Sequence, residues 1–372
     1  MRSASAALRV CFALALAAAP AVAGCADDGP VEEEGSGEDF VKVDTSSPEA
    51  RAQYDADVAF ANAYTARCAP KGSAKRVLVT GFGRFMSVGN NATGRIVSTL
   101  VPEAVYPETS PPPAGQVDPP GPQLSVGTRV VDLPGAGRAD VCGMVLPVYW
   151  DLAAILVSKE IEAFKPDLVV MMGVAGGTQP IWIELGAVNK AAPLDDGSDR
   201  LQPAVREGQD YAPIVETATS DEQARGNLMS WQRVQSAAEA KAKSLADRRD
   251  SHGSRFGDVL PGAKLAGFPR DSNTYLCNNV TYATGYLMDH PGKKVTLLRA
   301  SKKVRGKPNQ VDVRLAADHR ATPRAFVTGL TSGARPCDTR PVDCLFVNGL
   351  SSALDTPFIC GAKSPFREKN MA

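Results

Sequence analysis

The sequence predicts a three-layer α/β/α sandwich on a mostly parallel, twisted sheet, and three observations predict it. Apolar, β-branched runs at 76–80, 141–150, 167–172 and 294–298 read as strands, and helical patterns at 151–164 and 230–248 lie among them. Apolar strands separated by helices form a parallel sheet covered on both faces. Across 372 residues the chain is 44% hydrophobic and 22% charged, a soluble globular mix with room for one large or two ordinary domains.

The elements follow in chain order. Arg2 and Arg9 precede an apolar stretch, Val10 to Ala23, with the length of a signal h-region and too short for a spanning helix. It ends in Val22-Ala23-Gly24-Cys25, which resembles a bacterial lipoprotein cleavage box. Residues 1–24 are thus expected to be a lipoprotein signal peptide and Cys25 the lipidated first residue of an exported protein. Ala26, with no aspartate there, implies by resemblance the outer membrane, periplasmic or surface-facing. Residues 25–46 form an acidic tether that buries too little apolar surface to fold alone; the alternative is a binding segment. Residues 47–75 are a helical extension, Ala-rich from Ser47 to Ala66, with Ser46 or Ser47 as cap and Pro70 beyond its end.

Gly81 stops the first strand. The turn Thr80-Gly81-Phe82-Gly83-Arg84-Phe85 is no dinucleotide loop, because Met86 stands where the third glycine belongs. Phe82 and Phe85 either line an apolar pocket or pack in the core. The proline-rich stretch 107–123 and the polar stretch 193–222 read as surface insertions in a domain spanning 76–304. Residues 305–372 read as a cysteine-containing C-terminal extension, a stapled cap.

Forty-one basic and 41 acidic side chains give a formal charge of zero, and no Lys/Arg-rich patch argues for nucleic acid. Beyond Cys11 and Cys25, the cysteines are Cys68, Cys142, Cys277, Cys337, Cys344 and Cys360. An even number in an exported chain predicts disulfides. Cys337 and Cys344 are the simplest local pair, although spacing does not fix connectivity. No metal-ligand spacing is present.

Four segments carry a resemblance: Val77-Leu-Val-Thr-Gly-Phe82 with Phe85 and Asn91; Val145-Leu-Pro-Val148; Lys165-Pro-Asp167 through Gly173, Ala175-Gly-Gly177, Ile183-Glu184 and Ala187-Val-Asn189; and Tyr275-Leu-Cys277-Asn278. Their order and spacing resemble pyroglutamyl peptidase I (pyrrolidone carboxyl peptidase), a family of cysteine omega-peptidases that remove N-terminal pyroglutamate; this chain looks like a divergent, lipoprotein-anchored member. The resemblance implies Cys277 as nucleophile, Glu184 as the acid that orients a histidine, and Phe82 and Phe85 as the aromatics around the lactam ring. A thiol at a helix start gains thiolate character from the helix dipole. The other reading of Cys277 is a disulfide half or an inert buried thiol.

The sequence also departs from the family. Arg299 stands where the histidine belongs, Val174 where many members bind substrate through glutamine, and Thr178 where an arginine is usual. The chain has three histidines: His290 lies far along the nucleophile helix, and His252 or His319 would have to fold back to serve. Arginine holds its proton and cannot protonate a leaving amine. Two functions are therefore expected: a cofactor-free peptidase acting on N-terminal pyroglutamyl peptides, or a catalytically inactive relative serving as a binding or structural lipoprotein of the cell envelope.

Overall fold

The computed structural model describes residues 42–85, 88–107, 116–133, 135–175, 181–227, 230–249, 253, 255–259, 262–266, 274–293, 295–297, 299–300, 311–315 and 324–331. In chain order they form β1 (Lys42–Val43), α1 (Pro48–Ala63), β2 (Lys75–Phe82), α2 (Ala92–Leu100), β3 (Ser125–Leu133), β4 (Gly137–Leu146), α3 (Leu152–Phe164) and β5 (Leu168–Ala175). There follow β6 (Ile181–Glu184), β7 (Gly186–Val188), β8 (Ala224–Gly226), α4 (Trp231–Leu245), α5 (Phe256–Val259), β9 (Ala263–Ala266) and α6 (Leu276–Asp289). The last are β10 (Val295–Leu297), β11 (Arg299–Ala300), β12 (Val311–Val313) and β13 (Arg324–Thr331).

The main sheet has the order β3-β4-β2-β5-β13-β6-β9. Neighbours β4-β2, β2-β5, β5-β13 and β6-β9 run parallel, while β3-β4 and β13-β6 run antiparallel. Alternation along the strands builds the layers. Leu78, Cys142, Met144, Val169 and Met171 share one core with Tyr54 of α1, Ile155 of α3 and Val280 of α6. Their neighbours Val77, Val79, Val141, Val170 and Met172 share the other with Ile96 of α2 and Val234 of α4. Helices thus cover both faces of a mostly parallel sheet, the predicted class.

The turn after β2 is held tightly. A Cβ on Gly81 would lie 2.3 Å from the Thr93 carbonyl oxygen, so only glycine permits this approach of β2 to α2. The Phe82 N–H donates to Thr93 Oγ1 at 2.9 Å, and Asn91 caps α2 while donating from Nδ2 to Gly83 O at 3.0 Å.

The segment before β2 is bolted to the domain. Ser47 caps α1, its Oγ accepting from the Ala50 N–H at 3.0 Å. Buried Glu160 of α3 accepts from the N–H groups of Arg67 (2.7 Å) and Cys68 (2.9 Å) and from the Tyr64 hydroxyl. Asp140 of β4 accepts from the N–H groups of Lys71 (2.7 Å) and Gly72 (3.0 Å). Burial raises the Asp140 carboxyl, but hydrogen bonds from the Ser73 side chain and the N–H groups of Lys71, Ser73 and Gly72 outweigh it and hold it below the ordinary range. A disulfide joins Cys68 to Cys142. Further upstream, β1 pairs in parallel with β11, Lys42 opposite Arg299.

Two expectations need correction. The domain does not end at 304: β13 lies between β5 and β6, so part of the supposed extension is a central strand. Its sequence, Ala325-Phe-Val-Thr-Gly-Leu330, carries the apolar run a strand needs. Cys25, Cys337 and Cys344 lie outside the described residues. Nor is 193–222 confined to the surface, since Leu201, Ala212, Ile214 and Val215 are buried, as are Asp118 and Gln123 of the earlier insertion. Proline and charge deny a segment the sheet ladder but not burial, once its backbone finds partners. Here Ala191 and Ala212 bond each other, and the Asn189 side chain bonds both the N–H and C=O of Val215.

Buried acids join the insertions to α1. Gln53 Nε2 donates to Asp57 Oδ1 at 3.0 Å and Asp118 O at 2.9 Å, and the Tyr149 hydroxyl donates to Asp118 Oδ2 at 2.5 Å. Burial pushes Asp196 up to about 7, against hydrogen bonds from Ser198, and raises Asp57 well above the usual range, with the Asp196 charge adding to it. A raised folded-state value means the proton's contribution to stability is complete below the unfolded value near 4 and is lost as pH rises through about 7. Urea unfolding between pH 4 and 8 is expected to show stability falling by on the order of 1 kcal/mol or more, and Asp196→Asn should flatten that slope. An unchanged slope in Asp196→Asn would assign the effect elsewhere.

Candidate active site

Helix α6 forms because Leu276, Val280, Ala283 and Leu287 recur at helical spacing and all enter the core shared with α3. Cys277 lies in its first turn as a free thiol of intermediate exposure. Among the described residues it has no disulfide partner. Directly before the helix, the Tyr275 ring meets Trp150 edge-on at 5.4 Å and Phe85 at 6.4 Å. The Tyr275 hydroxyl donates to Asp195 O at 2.6 Å, and Trp150 Nε1 donates to Leu194 O at 2.9 Å. The 193–222 segment is thereby tied to the aromatic side of the site.

Glu184 ends β6, 3% exposed. Across the sheet it pairs with Phe326, which pairs with Met171, which pairs with Thr80. Glu184 therefore lies level with the carboxyl-terminal half of β2, and its main-chain oxygen accepts a hydrogen bond from the Asn227 side chain.

The structure brings Glu184 and Cys277 into electrostatic contact, but with a sign the sequence did not suggest. Burial first and the Glu184 carboxylate second push the Cys277 thiol up to about 12, with a hydrogen bond from its own backbone opposing them. The expected thiolate at the helix start is thus corrected. A helix terminus contributes roughly 0.3–1 kcal/mol at exposed sites, less than burial and an adjacent negative charge remove.

The other predicted residues divide. Phe85 is partly buried beside Tyr275, and Phe82 is 4% exposed in the core cluster against which Phe85 packs. Val174 is half-buried near the end of β5. Arg299 has its backbone in β11, paired with β1. His290 follows the end of α6, about 20 Å along the axis from Cys277. Its Nε2 is 2.7 Å from Glu222 Oε1, its Nδ1 is 2.9 Å from Tyr286 O, and its ring stacks on Tyr286 at 4.2 Å. It is not a partner for the thiol. Thr178, His252 and His319 lie outside the described residues. Among the described residues no group of His, Cys, Asp and Glu is arranged to hold a metal ion.

Sequence reasoning missed Tyr275 and Trp150 as neighbours of the site. Tyr275 stood in the Tyr-Leu-Cys-Asn segment two positions before the thiol, a signal that could have found it; Trp150 carried no such mark.

No family model matches this chain. A pyrrolidone-carboxylate peptidase of Lactobacillus johnsonii is 28% identical over 151 residues, which is 41% of this chain and 56% of that protein, so the chain spans little more than half of its curated relative. Among solved structures, pyroglutamyl peptidase I of Bacillus amyloliquefaciens is 14% identical with a TM-score of 0.45, covering 76% of this chain and 98% of that one. Pyrrolidone carboxyl peptidase from Thermococcus litoralis is 20% identical with a TM-score of 0.43, covering 76% of this chain and 94% of that one.

Proposed function

We propose that this chain is a cysteine peptidase of the pyroglutamyl type, hydrolysing the bond after an N-terminal pyroglutamyl residue. The observation that carries the reading is the free Cys277 thiol in the first turn of α6, within reach of the Glu184 charge and beside the Phe85–Tyr275–Trp150 aromatics. The name of the curated relative agrees with it. In this reaction Cys277 Sγ attacks the pyroglutamyl carbonyl carbon and the amine leaves with a proton. Water then cleaves the thioester and restores the thiol. Flat aromatic faces suit a neutral lactam ring. Arg299, at the position of the family histidine, holds its proton and cannot supply one to the amine. The chemistry needs no cofactor.

We further propose an exported lipoprotein held at the membrane through lipid on Cys25, in the periplasm or at the surface. The Cys68–Cys142 disulfide supports an oxidising compartment. Among the described residues no helix is long and apolar enough to cross a membrane.

A second reading, a catalytically inactive envelope lipoprotein with a binding or structural role, is favoured by the thiol's protonation and by the engagement of His290 elsewhere. Incubating the purified chain with a pyroglutamyl amide separates the two. Release of the amine, abolished in Cys277→Ser, is the expected result; no release at high protein concentration would leave the inactive reading standing.

A further inference from the structure

We propose that Asn278 is the positioning residue of this site: its side chain clamps the first turn of α6, and with it Cys277, onto the strand that follows Glu184. The inference rests on the reading of Cys277 and Glu184 as the working pair. Asn278 is 1% exposed. Its Oδ1 accepts from the Val188 N–H at 2.9 Å, and its Nδ2 donates to Val188 O and Lys190 O, both at 2.8 Å. One N–H and two carbonyls facing the amide fix which end is oxygen and which is nitrogen. Val188 ends β7, the strand that follows β6 after one residue and pairs with β8, so a single side chain ties the neighbour of the thiol to a backbone four residues beyond Glu184.

The chemistry of this contact is selective. Asp lacks the donors, Leu lacks both functions, and a longer Gln would displace the turn. Without the Asn278 amide the buried Val188 N–H loses its acceptor, while Val188 O keeps the Lys190 N–H at 2.8 Å. The next residue does a different job: Asn279 Nδ2 donates to Asp151 Oδ1 at 2.9 Å, pinning α6 to the head of α3. Consecutive asparagines therefore fix the nucleophile's turn from two sides, and only Asn278 relates it to Glu184.

The test needs no turnover. Cys277 alkylation by iodoacetamide at pH 8 is followed by peptide mass spectrometry in the full oxidised chain, as wild type, Glu184→Gln, Asn278→Ala and the double variant. With Asn278 present, Glu184→Gln is expected to accelerate alkylation about tenfold, the effect of one pKa unit. With Asn278→Ala the same change should accelerate it by less than about threefold, because the thiol is no longer held at the carboxylate. Equal acceleration in both backgrounds would overturn the proposal. Should Asn278→Ala not fold, Asn278→Ser carries the same cycle. Hydrogen exchange of the wild-type chain adds an independent reading: a protected Val188 amide is expected, and exchange at the unprotected rate would also overturn it. Failure of the peptidase reading would appear separately, as wild-type chain that does not turn over a pyroglutamyl amide while the alkylation cycle still shows coupling.

Discussion

Replacing Glu184 with Gln is expected to move two properties of the site in opposite directions. The Cys277 thiol is pushed up to about 12 by burial and then by the Glu184 carboxylate. At pH 7 its thiolate fraction is therefore well below the about 3% of an unperturbed thiol near 8.5. Below its pKa, alkylation follows the thiolate and should rise about tenfold for each pH unit between 7 and 10. Removing a negative charge from beside a group that becomes negative lowers its pKa. Glu184→Gln should thus accelerate Cys277 alkylation at neutral pH by about tenfold, for a shift of one unit. Hydrolysis of a pyroglutamyl amide should fall instead, by roughly 10²–10⁴-fold if the carboxylate takes part in proton transfer. Slower alkylation of the variant would show that the carboxylate is not what holds the thiol neutral. Unchanged hydrolysis would remove Glu184 from the reaction.

Why this chemistry was only half legible follows from where each contribution originates. The pairing of Cys277 with Glu184 came from the family resemblance of two separate segments, and in the structure the Glu184 charge acts on the thiol. The protonation state of the thiol was not legible in them, because burial is set by the residues that close around it. The role of Asn278 depends on a strand 90 residues away in sequence, which no spacing within Tyr-Leu-Cys-Asn encodes. Phe82 and Phe85 are three positions apart in sequence, yet the strand ends between them, so one ring is core and the other reaches Tyr275.

The fold divides in the same way. Strands β2, β4 and β5 were legible because each is buried on both faces and reads as an apolar run. Strand β3, at the sheet edge, has a half-exposed pattern that does not separate it from a loop. Strand β13 was hidden by its position in a tail with three further cysteines, although its own residues are strand-like. Cysteine connectivity was beyond the sequence altogether: six cysteines allow 15 pairings, and the described pair joins residues 74 apart rather than near neighbours.

That disulfide carries the other large expectation. Linking Cys68 to Cys142, 74 residues apart, removes loop-closure entropy from the unfolded chain worth about 4 kcal/mol in the chain-entropy model, and natural disulfides in small exported domains are worth about 2–5 kcal/mol. The double variant Cys68→Ala/Cys142→Ala should therefore unfold in urea with stability lower by that amount, and reduction of the wild-type chain should reproduce it. Partial compensation is built in: Glu160 still takes the N–H groups of residues 67 and 68, and Asp140 those of 71 and 72. The arm would thus remain docked while the native state lasts, with the loss falling on the unfolding equilibrium rather than on the ground-state structure. Hydrogen exchange distinguishes the cases. Protection of residues 67–73 retained in the double variant, together with a lowered urea midpoint, is the expected pairing. Loss of that protection under native conditions would mean that the disulfide, not the buried carboxylates, holds the arm to the sheet. A midpoint unchanged from wild type would mean that the unfolded chain gains little freedom when the link is cut.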